Sequence, residues 1–238
     1  MTAGAAVVTG GAGGIGGAVL ARLGKDGFTP VSWDLSEEAL GAQLALAVDV
    51  TDSDALTEAA ARTRAQAGPI RALVVNAGIL GPVGRAWEVE LDQLRHVIDT
   101  NLVSAFLTLR AVVPHMLANP GPDRGRIVLM SSVQAKAGTA LSAPYAASKA
   151  GLIALTKVLG KELAEDGVLV NALTPTVVRT AMEQSLTPER RSDLLARIPL
   201  RRFLEVEEVA AMVSWLCGPE CTFSTGAVFD LSGGRSTY

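Results

Sequence analysis

Tyr145 and Lys149 stand four residues apart in the segment Tyr-Ala-Ala-Ser-Lys. On a helix, that spacing puts a phenol and an ammonium on one face. A phenol titrating near ~10 is too weak an acid to act as a base at neutral pH. A nearby cation favours the phenolate and makes tyrosine usable as a general acid/base. The chain has two tyrosines, and the other, Tyr238, is its last residue. Ser131 and Ser132 close an apolar run, where a hydroxyl could hydrogen-bond a substrate carbonyl and polarise it.

A second set of residues suits a phosphate. The first apolar run leads into Thr9-Gly10-Gly11-Ala12-Gly13-Gly14-Ile15-Gly16. Glycines at 10, 14 and 16 permit a tight turn and close approach of the backbone to a pyrophosphate, and the helix that follows offers unpaired N–H groups. Asp34 ends the second run, 18 residues past Gly16. A carboxylate there accepts hydrogen bonds from both hydroxyls of an adenosine ribose and repels a 2′-phosphate. No Lys or Arg in the turn or at positions 35–36 offers that phosphate a partner. The cofactor expected is NAD rather than NADP.

These residues need elements to hold them. Strands are expected at 5–9, 28–34, 44–49, 70–75, 125–131, 167–173 and 226–230. Helices are expected near 14–26, 52–67, 90–118, 144–165, 187–197 and 206–217. Apolar strands alternating with helices imply an α/β fold with a parallel sheet covered on both faces. The right-handed crossover rule then favours a doubly wound (Rossmann) arrangement of seven strands, in the order 3-2-1-4-5-6-7. The 238 residues suit a single domain over 1–238.

Composition excludes other classes. A net charge of −3 gives no reason to expect nucleic-acid binding. No uninterrupted apolar run approaches the ~18 residues that span a bilayer, and no charged leader precedes the first strand, so no membrane partner and a cytoplasmic location are expected. Cys217 and Cys221 lie far from His96 and His115 in sequence and read as reduced thiols, with no metal site. The 144–165 helix carries Ala146, Ala147, Ala150, Leu152, Ile153, Leu155, Val158 and Leu159, apolar on more than one face. Such a helix is usually buried on several sides, either by the sheet on one side and a second subunit on the other or by simple core packing.

Thr9-Gly10-x-x-x-Gly14-Ile15-Gly16, Asn76-Ala77-Gly78, Asn101, Ser132 and Tyr145-x-x-x-Lys149 together resemble the short-chain dehydrogenase/reductase family, in order and spacing, over essentially the whole chain. The resemblance implies that Tyr145 is the general acid/base and Ser132 holds the substrate oxygen. It implies that Lys149 binds the nicotinamide ribose and depresses the tyrosine pKa, and that Asn101, in the 90–118 helix, anchors a proton-relaying water. Asp49 and Val50 would meet the adenine, and Asn76, Ala77 and Gly78 would line the adenosine ribose. Pro175, Val178 and Thr180 would hold the nicotinamide carboxamide. A homotetramer or homodimer is implied too. The chain departs from the family at Thr176, where a glycine usually follows the proline.

The small-molecule substrate is less determined. The resemblance makes 176–204 the segment covering the pocket, and it holds Arg179, Arg190, Arg191, Arg197, Arg201 and Arg202 against Glu183, Glu189 and Asp193. Most of these arginines read as a solvated face. Arg179, beside the cofactor motif, is the candidate for a substrate carboxylate or phosphate. The ending Phe229-Asp230-Leu231-Ser232-Gly233-Gly234-Arg235-Ser236-Thr237-Tyr238 resembles a subgroup acting on deoxy sugar acids, such as 2-keto-3-deoxy-L-fuconate dehydrogenases. Alternatives are a 3-oxoacyl-carrier-protein reductase and a catalytically silent NAD-binding redox sensor, which would have no need of an intact Ser–Tyr–Lys set.

Overall fold

Strand residues alternate between two faces, and that alternation divides the interior in two. Ala5 and Val7 of β1 (Ala5–Thr9) face one core, with Val31, Trp33, Leu73 and Val75, whereas Ala6 and Val8 face the other, with Ala72 and Val74. The computed structural model describes residues 4–180 and 187–237. Glu183 of the arginine-rich segment and Tyr238 lie outside the described residues.

Beside β1 run β2 (Thr29–Asp34), β3 (Leu44–Ala47), β4 (Ile70–Val75), β5 (Gly125–Met130), β6 (Val168–Pro175) and β7 (Val228–Leu231). Every pairing is parallel and the order is β3-β2-β1-β4-β5-β6-β7, as expected from the sequence. Helices α1 (Gly14–Lys25) and α8 (Val206–Cys217) pack on each other and on one face through Val19, Leu20, Leu23, Val209, Val213 and Leu216. On the other face lie α2 (Ser53–Ala67), α4 (Ser104–Leu117) and α6 (Ala143–Glu162), contributing Leu56, Leu109, Val112, Met116 and Leu152. Trp33 is fully buried, and its indole N–H donates to Thr63 Oγ1 at 3.0 Å, so the large ring enters the core without an unpaired donor. Both cysteines are buried free thiols, and burial pushes Cys217 up to about 12.

Three differences from the sequence reading bear on the site. The 90–118 helix is continuous but changes winding: α3 (Leu91–Ile98) passes through one π turn, Asp99–Val103, into α4. A short helix not foreseen, α5 (Gln134–Ala137), follows β5, because four residues carry too little periodicity to register. β6 runs on to Pro175, so the cofactor motif begins at a strand end. The 187–197 helix is α7 (Pro188–Ala196), capped by the Thr187 hydroxyl accepting from Arg190 N–H at 3.3 Å.

No unbroken apolar run in the sequence is expected to span a bilayer. Leu91–Leu117 is nonetheless a helix of 27 residues that is long and apolar enough, by length and composition alone, to cross a membrane. Polar Asp99, Asn101 and Ser104 interrupt the run without ending the helix, and its α4 portion lies against β4 and α2 as a layer of the fold.

Candidate active site

In an open parallel sheet, ligands bind at the carboxyl ends of the strands, above the point where strand order reverses. Here that point lies between β1 and β4, which are neighbours. Thr9, Asn76, Ser132 and Pro175 all stand at that edge, at the ends of β1, β4, β5 and β6.

The Gly-rich turn is shaped by contacts that exclude side chains. Gly10 takes a positive φ of 68°. A Cβ on Gly16 would collide with the carbonyl oxygen of Gly10, and one on Gly14 would lie 3.1 Å from Thr180 Cγ2. Gly14 and Thr180, far apart in sequence, therefore face each other. Ile15 is half-buried against the α1–α8 core and anchors the first turn of α1. Helix α1 has no side-chain cap and no acidic residue in its first turn, so its N–H groups and positive dipole end face the crevice. That bare cradle fits the pyrophosphate of a dinucleotide.

Asp34 reaches back over the turn, accepting from Ala12 N–H at 3.1 Å and from Ser36 N–H at 3.3 Å. Asn76 fastens the turn from β4. Its side-chain N–H2 donates to the carbonyls of Thr9 (3.1 Å) and Gly10 (3.2 Å), while the Asn76 and Ala77 backbone N–H groups donate to Thr9 Oγ1 at 2.9 and 3.1 Å. Asp49 is exposed, and its carboxylate accepts from Thr51 Oγ1 and Thr51 N–H, which hold it below the usual range. Val50 packs at the margin of the core.

β5's end and α6's first turn bring the Ser132 and Tyr145 side chains near enough for the serine to favour the charged form of the phenol. Lys149, one turn on, is buried and donates to the Met130 carbonyl at 2.8 Å. Ser131 Oγ ties the Lys149 carbonyl to the same strand end at 2.7 Å. Burial lowers Lys149 to about 8. It also raises Tyr145 above its ordinary value, against the smaller opposing effect of Ser132. Loss of hydration is the larger of the two effects on the Tyr145 phenol, and the Ser132 hydroxyl opposes it.

Asn101 sits in the π turn, a feature that often marks functional positions. Its Oδ1 accepts from Ile79 N–H at 2.8 Å, and its two side-chain N–H groups go to the Ile79 carbonyl (2.9 Å) and Ser148 Oγ (3.0 Å). A relaying water could therefore meet the amide only at its oxygen. Gly78 fits because it is bare: a Cβ there would lie 3.0 Å from Asn101 Oδ1 and 3.3 Å from Lys149 Nζ.

Pro175 is buried at the end of β6, and its carbonyl accepts from Val133 N–H at 3.0 Å. Val178 is buried and pairs with Leu204 in an isolated parallel bridge. Thr176 donates its backbone N–H to the Leu231 carbonyl, and its buried hydroxyl oxygen has no hydrogen-bond partner among the described residues. Arg179 is engaged elsewhere than expected, its Nε lying 3.1 Å from Glu205 Oε1. Residues the sequence reading passed over are Gln134, Ser142 and Ser148. Ser142 Oγ donates to Gln134 Oε1 at 2.7 Å and Gln134 N–H to Ser132 Oγ at 3.2 Å, while Ser148 Oγ donates to the Tyr145 carbonyl at 2.8 Å. Isolated polar residues like these carry no spacing signal.

The chain belongs to the short-chain dehydrogenase/reductase family: the family model described as enoyl-(acyl carrier protein) reductase matches residues 10–236. Among individual proteins, it is 42% identical to the 2-dehydro-3-deoxy-L-rhamnonate dehydrogenase (NAD(+)) of Sphingomonas sp. (strain SKA58), across 98% of this chain and 95% of that one. It is 36% identical to the 3-oxoacyl-[acyl-carrier-protein] reductase of Thermotoga maritima, across 96% of each. A solved NAD+-bound xylitol dehydrogenase superposes with a TM-score of 0.91 at 27% identity, covering 98% of this chain and 99% of that one.

Proposed function

We propose that this protein is an NAD-dependent oxidoreductase that interconverts a secondary alcohol and a ketone, with a deoxy sugar acid as its substrate. The observation that carries the reading is the placement of Ser132 near Tyr145, with Lys149 buried one turn on, at the sheet edge that also holds the bare Gly10–Gly16 turn. The names of the Sphingomonas relative and the xylitol dehydrogenase support NAD, and the former supports a sugar acid.

Bound NAD supplies a hydride acceptor. Gly10, Gly14, Ile15 and Gly16 would hold its pyrophosphate, Asp34 the adenosine ribose hydroxyls, and Asp49 and Val50 the adenine. Asn76, Ala77 and Gly78 would line the adenosine ribose, Tyr145 and Lys149 the nicotinamide ribose, and Pro175, Val178 and Thr180 the carboxamide. Ser132 holds the substrate oxygen, and Tyr145 Oη takes the hydroxyl proton. Lys149, lowered to about 8, would pass a proton onward from the tyrosine side, and the Asn101 oxygen would receive a relaying water. Positioning and fixed dipoles supply most of the acceleration.

We further infer a homo-oligomer, with a homotetramer as the fullest form and a homodimer as the lesser. Val103 and Phe106 (57% exposed) and Val158 (50% exposed) leave an apolar surface on the π turn, α4 and α6, and Met212, Trp215 and Phe229 leave another at the β7 end. Two unpaired buried thiols fit a reducing compartment such as the cytoplasm.

The test is to titrate purified protein with NADH and NADPH by nicotinamide fluorescence, then assay NAD+-dependent oxidation of 2-dehydro-3-deoxy-L-rhamnonate. Tighter NADH binding with turnover supports the reading. Tighter NADPH binding with reduction of a 3-oxoacyl thioester would replace it with the acyl-carrier-protein reductase, and NADH binding without turnover of any alcohol or acid with the silent sensor.

A further inference from the structure

A carboxylated substrate needs a cation at the pocket mouth, and most arginines of the covering segment are occupied. Arg179 pairs with Glu205, and Arg202 forms a two-pronged contact with Glu208 at 2.6 Å on each arm. Arg191 lies over the Phe203 ring, 5.6 Å from its centroid, and Arg201 donates to the Ala196 carbonyl.

Arg235, in the C-terminal tail, is placed differently. Its guanidinium donates to Thr139 Oγ1 at 3.3 Å, in the loop between Ser132 and Tyr145. The loop is tied inward from there: the one Ser142 hydroxyl proton serves either Gln134 Oε1 (2.7 Å) or the Thr139 carbonyl (2.9 Å), and the Gln134 backbone N–H donates to Ser132 Oγ. The tail is held against the same loop region by the Lys136–Asp230 ion pair at 3.1 Å. Arg235 is half-buried, and no Asp or Glu among the described residues lies within ion-pair distance of it. Its electrostatic neighbour is a second arginine, Arg197 of the covering segment, and burial and that like charge both work against the guanidinium. A half-buried cation facing another cation is an unfavourable arrangement that an anion relieves.

We propose that Arg235 binds the carboxylate of the substrate, with Arg197 adding positive potential from the covering segment, so that the tail and not Arg179 selects for acids. A planar guanidinium takes a carboxylate through two parallel N–H bonds, which fixes the far end of the substrate as well as its charge. This rests on the sugar-acid reading above.

The experiment measures KM and kcat for 2-dehydro-3-deoxy-L-rhamnonate with saturating NAD+ in the parent, Arg235→Gln and Arg235→Lys, with NADH affinity measured on each. The expected result is a KM raised about tenfold or more in Arg235→Gln, a smaller rise in Arg235→Lys, and kcat and NADH affinity within about threefold of the parent. An unchanged KM in Arg235→Gln with an active parent overturns the assignment and leaves the sugar-acid reading intact. Equal losses of kcat and NADH affinity in both variants also overturn it, because they mark a tail that merely latches the fold. A parent that oxidises no sugar acid overturns the sugar-acid reading, and this assignment with it.

Discussion

The ammonium of Lys149 lies 5.8 Å from the centroid of the Tyr145 ring, while its hydrogen bond runs to the carbonyl of Met130 at 2.8 Å. The same helix face that pairs the two residues thus buries Lys149 and half-buries Tyr145. Burial disfavours each charged form, lowering the lysine to about 8 and raising the tyrosine. In the free protein both shifts favour the uncharged forms of the pair.

Lys149 should leave a mark on stability. An unfolded lysine keeps its proton to about 10.4, whereas the folded one releases it from about 8. The unfolded state binds more protons in that window, so stability rises as pH increases from 8 towards 10. Buried Cys217 and half-buried Tyr145, both raised, act in the opposite direction at the upper end. Their effects cancel in the difference between the parent and Lys149→Met. Urea unfolding at pH 7, 8, 9 and 10 should show that difference growing in the parent's favour with pH, and a flat difference would count against a buried, easily deprotonated lysine.

Removal of the Tyr145 hydroxyl should separate chemistry from binding. Tyr145→Phe keeps the ring beneath Lys149 and takes away the hydroxyl near Ser132. General acid/base groups contribute about 10²–10⁴-fold. Steady-state kcat should fall by about that factor, while nicotinamide fluorescence still reports NADH binding.

Asp34 carries the cofactor choice. Its carboxylate is half-buried, tied to Ala12 and Ser36, and set over the Gly-rich turn. Asp34→Ala should weaken NADH about tenfold or more and tighten NADPH, since one substitution removes ribose acceptors and a repulsive charge. Equal NADH affinity in the two proteins, measured by fluorescence titration, would move the ribose site elsewhere.

Gly16 should tolerate nothing larger. A methyl group there would meet the Gly10 carbonyl oxygen, a backbone atom that cannot swing aside. Overpacking of this kind costs about 1–3 kcal/mol. Gly16→Ala should lower Tm by several degrees and weaken NADH, whereas Gly27→Ala, where space is open but φ is +93°, should lower Tm without altering NADH affinity. Matching NADH affinities for Gly16→Ala and the parent would detach the turn from cofactor binding.

The sequence by itself determined the strand order, the parallel sheet and the Tyr145–Lys149 pairing, because each follows from a period: alternating elements for the sheet and four residues for one helix face. It also marked Gly10, Gly14 and Gly16, of which Gly10 takes a positive φ and Gly16 lies against the Gly10 carbonyl. Only the tertiary structure decided what distant groups do to one another. The Met130 carbonyl that receives Lys149 is invisible in a list of side chains. The raised Tyr145 depends on a burial that spacing does not measure. Arg179 and Arg235 are both arginines near the chain's last third, yet the fold sets one beside Glu205 and the other beside Thr139 and Arg197. A local pattern dictates local geometry, but the partner of a charged side chain is set by which elements pack together, and that is a property of the whole chain.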